Sequence, residues 1–452
     1  MQRETAVAAF RYGYGLPLPE GAPIRAEGMA RLLAGPDRIL DRWPGLGLDE
    51  VLPVQDASSA ARREARKSDA DRRAYRDWLR KVTDQMLQAA KLRMARALDN
   101  PDQLRERLVG FWMDHFTTVG RFLVDRGLPG ALAEDAIRPH VGGRFADMLR
   151  AAVLHPAMLI YLDQTRSVGP GSPEGLRSGG GLNENLAREL LELHTLGVGA
   201  KYTQADVREL AELLTGVTFS GGKGQIFRPD LAEPGAETVL GKTYDGAGMA
   251  PVLRVLDDLA RHPATARHIA GKLAAHFVAD QPPADLVKTM AETFRNTGGD
   301  LQATVAAMLH HPAGMGGPLA KVRQPFDFLV ASLRALGVTG ADVVALGDGK
   351  FRKMLWKPLA VMGQDLEAGP PGPDGWPEER AAWINPAGLA GRVEWAMTMP
   401  QKLCDVLPEP AVVARQALGP FASDALLWAA DKAESRAEGL GLVLASAEFN
   451  RR

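Results

Sequence analysis

Residues 182–197 read Leu182-Asn183-Glu184-Asn185-Leu186-Ala187-Arg188-Glu189-Leu190-Leu191-Glu192-Leu193-His194-Thr195-Leu196-Gly197. Stepped at about 100° per residue, Glu184, Asn185, Arg188, Glu189, Glu192 and Thr195 share an arc of about 140°. Leu186, Ala187, Leu190, Leu191, Leu193 and His194 fill the other side. A helix with one polar and one apolar face buries the apolar one against a core. Asn183, after a run of glycines, is the expected N-cap, and Gly197 the expected stop. A second helix opens at Thr203, which caps it, with Asp206 in the electropositive first turn. Val207, Leu210, Ala211 and Leu214 then recur at helical spacing. The short link between the two predicts a helical hairpin.

Outward from this hairpin, Ala and Leu at helical spacing dominate and alternating strand patterns are scarce. The expected fold is mostly α, a multi-helix globular domain spanning 1–452 with a small β-hairpin insertion near 217–246. Val217-Thr218-Phe219, Gln225-Ile226-Phe227 and Thr238-Val239-Leu240 carry its strand signals, with Gly221 and Gly222 in a turn. Residues 56–98 read as a charged helical extension. Its span 56–81 holds nine Lys/Arg and five acids, the pattern of a solvated helix more than of a nucleic-acid-binding one. The segment 367–378, Glu-Ala-Gly-Pro-Pro-Gly-Pro-Asp-Gly-Trp-Pro-Glu, excludes regular structure. Two or three helices are expected to close the chain.

Composition narrows the function classes. Lys+Arg at 54 against Asp+Glu at 55 gives no electrostatic drive toward nucleic acid. No apolar run approaches the roughly 20 residues of a membrane span. Arg11 interrupts the N-terminal apolar stretch too early for a signal peptide, so a cytoplasmic location is expected. A single cysteine, Cys404, leaves no disulfide, CxxC pair or cysteine zinc site. HExxH, GxSxG, a P-loop and a strand-preceded dinucleotide fingerprint are missing from the sequence.

Carboxylates remain as the chemistry-bearing groups. Glu184 and Glu189 are the candidate acid and base, Arg188 the candidate anion holder, and Asn183 and Asn185 candidate substrate-orienting groups. His115 lies on an apolar stripe with Leu104, Leu108 and Phe111. It reads as a buried core histidine or, if helix packing brings it to Glu184 and Glu189, as a third catalytic group. His194, on the apolar face, reads as core. Trp376 and Trp383 either stack on a sugar or fill the space under the proline-rich loop. No cofactor is expected, with a divalent metal on Glu184, Glu189 and His115 as the alternative.

The stretch from Asn183 to Gly199 with Tyr202-Thr203 resembles the hallmark of a large bacterial family catalogued only as a domain of unknown function. Phe10-Arg11-Tyr12-Gly13-Tyr14-Gly15, Phe111-Trp112 with His115-Phe116, Ala270-Gly271-Lys272-Leu273, Gly375-Trp376-Pro377 and Trp383-Ile384-Asn385 extend the resemblance along most of the chain. It carries no established activity. It implies export for many members, which places a periplasmic or exported location beside the cytoplasmic one. It also implies a gene neighbour of the sulfatase and alkaline-phosphatase-like class. The chain has Met113 where the family often has a second histidine, and Ala232-Glu233 where it often has His-Asp. Two functions follow: a hydrolase using carboxylate acid/base chemistry on an envelope glycan or ester, or a non-catalytic binding or assembly partner of the sulfatase-like protein.

Overall fold

A computed structural model describes residues 3–222 and 224–452. Helices dominate, and the strands form two separate antiparallel pairs. The elements that position the site are α1 (Arg3–Tyr12), α2 (Leu48–Glu64), α3 (Asp69–Asp99), α4 (Gln103–His115) and α5 (Asn185–Glu189). The last runs without a break into a π-helical turn, Leu190–Thr195. There follow α6 (Gln204–Leu213), β1 (Val217–Ser220), β2 (Gly224–Phe227), β3 (Glu237–Val239), β4 (Lys242–Tyr244), α7 (Pro263–Phe277) and α8 (Pro325–Ala335). The C-terminal region holds α9 (Pro386–Thr398), α10 (Pro410–Leu418), α11 (Asp424–Lys432) and α12 (Arg436–Ala445), with shorter turns between them. That is more than the two or three helices expected, because Pro400, Pro410 and Pro420 break the apolar periodicity into short pieces.

The charged stretch read as an extension at 56–98 changes character part-way. α2 and α3 form a hairpin whose tip is solvated. From Val82 onward α3 is core, with Met86, Leu87, Ala90, Met94, Ala95, Ala97 and Leu98 buried. The charged residues counted in the sequence all precede Val82, so they describe only the tip. The insertion near 217–246 is likewise two hairpins. β1 pairs with β2, and β3 pairs with β4. Leu240 and Gly241, both at positive φ, turn the second, and the third predicted strand ends there.

Two hydrophobic clusters fill the interior. One gathers α4, α5, α6 and α7; the other gathers α1, α3, α8 and the C-terminal helices. Buried arginines tie them by donating to carbonyls that no helix satisfies. Arg11 donates to Ala313, Gly316 and Pro318 at 2.9–3.0 Å. Arg334 donates to Ala97 and to the Gln103 side chain at 2.6 and 2.8 Å. Gly15 sits at φ +92°, and a Cβ there would lie 2.5 Å from the Arg323 guanidinium, which accounts for the glycine ending the Phe10–Gly15 motif.

α4 is buried over most of its circumference, so its charges need partners inside the protein. Glu106 receives both Arg138 nitrogens at 2.7 and 3.0 Å and the Asn100 amide at 2.7 Å. Truncating Glu106 removes two of the bonds to the buried Arg138, which keeps Asp37 at 2.8 Å, and leaves the Asn100 amide without its acceptor. Glu106→Ala should therefore lower unfolding free energy by about 2–3 kcal/mol, read from urea denaturation followed by circular dichroism. A loss under about 1 kcal/mol, the level of an exposed pair, would contradict this account.

Candidate functional site

The apolar face of α5 and its π-turn docks on α4 and α7 through three imidazoles. His115 Nε2 donates to the carbonyl of His194 at 3.2 Å, and His194 Nδ1 donates to the carbonyl of His115 at 3.1 Å. His268 Nε2 donates to the carbonyl of Leu193 at 2.9 Å. Carbonyls in the last turn of a helix lack intrahelical donors, and these rings supply them. Because carbonyls only accept, each bonded nitrogen carries its proton. His115 Nδ1 and His194 Nε2 are left buried without a partner. Burial, with the Lys272 charge adding to it, holds His115 well below the usual histidine range and His194 at about 3.

His115 is thus a helix-docking group, and it does not meet Glu184 or Glu189. The five polar residues of the α5 face make no hydrogen bond or ion pair with α4 among the described residues. Glu184 binds Arg188 at 3.0 Å and the Gln204 amide at 2.8 Å, and Arg188 also donates to Gln204 at 3.1 Å. The face packs on α6 and solvent instead of on α4. Asn183 caps one residue earlier than a standard N-cap, accepting from the Asn185 amide at 2.8 Å; Glu184 takes the cap position. Asn185 is exposed. Thr195, expected on the polar arc, is fully buried and donates to Leu190 O at 2.6 Å, because the π-turn's i→i+5 winding carries it off the polar face. The alternative metal set of Glu184, Glu189 and His115 does not converge. No group of three or more His, Cys, Asp or Glu side chains among the described residues is arranged to hold a metal ion.

Glu189 is half-buried. Burial and then Glu192 raise its pKa against the pull of Arg188, and Asp374 raises it further. Asp374 belongs to the irregular loop over 367–378, and on its far side that loop reaches α4. Gly375, at φ +87°, brings its backbone so near that a Cβ would stand 2.7 Å from Asp114. The Trp376 amide then donates to Asp114 Oδ1 at 2.7 Å. Asp114 has no ion-pair partner among the described residues. Burial pushes its pKa up to about 7; the Trp376 amide, Lys272 and Arg93 pull the other way, and Glu378 adds to the rise. Lys272, on α7, is lowered by burial and raised by Asp114, Glu378 and Asp374. One turn on, His276 Nδ1 meets Glu378 at 2.5 Å while its Nε2 accepts from Arg107 at 3.0 Å. Burial alone would raise Glu378, but His276 and Lys321 hold it at about 2.

Asp114 and Trp376 line a cavity of about 190 Å³ at the seam between the two hydrophobic clusters. Its walls include Met86, Phe111, Phe326 and Trp356, and its polar groups include Arg93 and Gln364. Trp383 does not reach it: the ring is buried under the loop, with Nε1 donating to Pro377 O at 2.9 Å. Met113 does line the cavity.

A family model described as a protein of unknown function, DUF1800, matches residues 9–451. The chain belongs to that family. No curated protein and no solved structure matches it. Among the described residues no helix is long and apolar enough to cross a membrane.

The histidine geometry carries a stability signature. The folded-state pKa values of His115 and His194 lie below their ordinary 6.5, so the unfolded chain binds more protons and stability falls as pH drops below about 6.5. Each contributes a slope of about 1.4 kcal/mol per pH unit. His194→Phe should remove one of the two contributions in denaturant titrations between pH 6 and 4.5, and neither ring should titrate by NMR between pH 5 and 8 in the wild type. An imidazole titrating near 6.5 would overturn the docking role.

Proposed function

We propose that the protein is a hydrolase that uses carboxylate acid/base chemistry on a small ester, with Asp114 as the proton-transfer group. The observation that supports this reading is a carboxyl poised near neutral pH in the wall of a cavity, without a cation paired to it. Asp114 is half-buried, so a water at the cavity wall can reach it, and a general base works best with a pKa near the operating pH. In its ionised form Asp114 takes a proton from a water as that water adds to the acyl carbon. It returns the proton to the departing alkoxide. The Trp376 amide fixes the carboxyl's orientation through Oδ1, leaving Oδ2 for the proton.

Cavity size favours the ester over the envelope glycan. A cavity of about 150 Å³ holds benzene. About 190 Å³ therefore suits a single small ring with a substituent, not a glycan chain. Glu184 and Glu189 take no catalytic part in this reading. With Arg188, Asn183 and Asn185 they form an outer polar face, and Glu189 touches the site only through the charge of Asp374. The second reading, a non-catalytic partner of a sulfatase- or alkaline-phosphatase-like protein, is favoured by one surface feature. Leu389, Val393 and Met397 form an exposed apolar stripe along α9.

Asp114→Asn separates the two readings, because the amide keeps the Trp376 bond and cannot ionise. On short-acyl p-nitrophenyl esters it should lower kcat/KM by about 10²–10⁴-fold. Wild-type activity should rise with pH through about 7. The same variant should be more stable than wild type at pH 8, by on the order of 2–4 kcal/mol. The sign follows from a folded pKa above the unfolded one: between about pH 4 and 7 the unfolded chain gives up the proton first, and the folded state loses stability across that window. No ester turnover by wild type, or an unchanged rate in Asp114→Asn, would discard the enzyme reading.

A further inference from the structure

The ionic groups lining the cavity pair off one by one. Arg96 makes a bidentate bond to Glu134 at 2.6 and 2.8 Å. Arg107 pairs with Asp327, Arg126 with Glu367 and Arg138 with Glu106. Arg93 is left over. It makes no ion pair and no hydrogen bond among the described residues, and its guanidinium lies 4.5 Å from the Phe326 ring centroid. Burial depresses it, and the carboxylates of Asp327 and Glu106 only partly offset that. Arg93 is half-buried, so its guanidinium stands at the cavity wall with an aromatic face as its one close partner and its hydrogen-bond donors free. Thr118 adds a second unmet need: it lines the same cavity, and its hydroxyl is buried without a partner.

From these two observations we infer that the cavity binds a small monoanion, a flat apolar body bearing one carboxylate, with the carboxylate on Arg93. A carboxylate matches the planar fork of a guanidinium with two parallel bonds. It also brings the one negative charge that the lining lacks. Phe111, Phe326, Trp356 and Trp376 supply aromatic wall for the body, and the volume admits one ring plus the carboxylate. The groups that set the field at the anion are Arg93 on α3, Arg107 and Asp114 on α4, Lys272 and His276 on α7, Asp327 on α8 and Glu378 at the end of the loop, with the pairs Arg96–Glu134, Arg126–Glu367 and Arg138–Glu106 further round the lining. Of these, Asp114 is the carboxyl without a cation to neutralise it. Its ionisation as pH rises through about 7 places a second negative charge beside the ligand, so affinity falls there. The inference deepens the acid/base reading by naming the substrate class of the same cavity, and its measurement is binding without turnover.

The test uses the full chain, with tryptophan fluorescence and calorimetry as readouts, since Trp356 and Trp376 line the cavity. The probes are benzoate, benzamide and phenyl phosphate. Wild type should bind benzoate at least about tenfold more tightly than benzamide, its neutral isostere. Arg93→Gln should erase that ratio and Arg93→Lys should keep part of it. Benzoate affinity should drop several-fold between pH 6 and 8 in wild type and stay level in Asp114→Asn. Equal binding of benzoate and benzamide, no binding of either, or benzoate selectivity surviving in Arg93→Gln would each overturn the inference. Tighter binding of phenyl phosphate than of benzoate would overturn the carboxylate assignment. Should Arg93→Gln not fold, the wild-type comparison of benzoate with benzamide decides alone. Benzoate selectivity without ester turnover sinks the hydrolase and keeps this inference; turnover without selectivity does the reverse.

Discussion

Helix α4 buries four ionisable side chains and holds a fifth, Asp114, half-buried, and the surrounding structure is arranged to satisfy the four. Arg105 is met by Asp102 and by the carbonyls of Leu33 and Gly35, Glu106 by Arg138, and Arg107 by Asp327 and His276. His115 is met by the end of the π-turn after α5. Each of these partners comes from a different part of the chain, so burying one helix fixes the positions of five others. A half-satisfied buried network is worse than an apolar core. The positions of the neighbours are therefore specified by the polar groups of α4 as well as by its apolar ones. Asp114 is the exception: the loop gives it one backbone amide and no charge.

This exception was only partly legible in the sequence. The amphipathic period of 182–197, the cap at Thr203 and the inward side of His115 follow from spacing alone, and the structure agrees with them. The π-turn does not follow from spacing, because i→i+5 winding leaves no mark in a pattern counted at 3.6 residues per turn. That is why Thr195 was assigned to the wrong face. The partner of His115 was missed for a related reason: helix ends need donors, and the backbone of 193–194 is a better partner for buried imidazoles than a distant carboxylate. Asp114 stands about 100° round the helix from His115, so helical spacing does not join the two in one site. A signal for it was nonetheless present. Its neighbours three and four residues back are Phe111 and Gly110, and α4 ends one residue after it, so no residue of its own helix is placed to neutralise it. Lys272 and Gly375 were visible as members of conspicuous short segments, but nothing in a linear reading brings positions 114, 272 and 375 together.

The proline-rich loop shows how a segment without regular structure acquires a defined place. Its glycines and prolines forbid helix and strand, so its backbone donors must be spent elsewhere. The Trp376 amide goes to Asp114, and Trp383, buried beneath the loop, donates back to Pro377. The loop therefore separates two polar regions: the outer face of α5, felt through Asp374, and the cavity, closed by Trp376. Its anchorage on one titratable group means that the charge of Asp114 and the seating of the loop are coupled.

Arg93 and Asp114 both face the cavity, and a protein optimised only for stability would join them. Both are half-buried, and an ion pair between them would relieve both. They remain apart, while every other charged residue of the lining has found its counterpart at ordinary ion-pair distance. Stability alone does not explain keeping an unpaired guanidinium and an unpaired carboxyl on the wall of one small space. A molecule occupying the space does: it takes the cation for its own charge and finds beside it an acid that ionises near pH 7. Strain of this kind, held in place by a rigid surround, is characteristic of functional sites. It is also why the site stands out in the structure through two missing interactions.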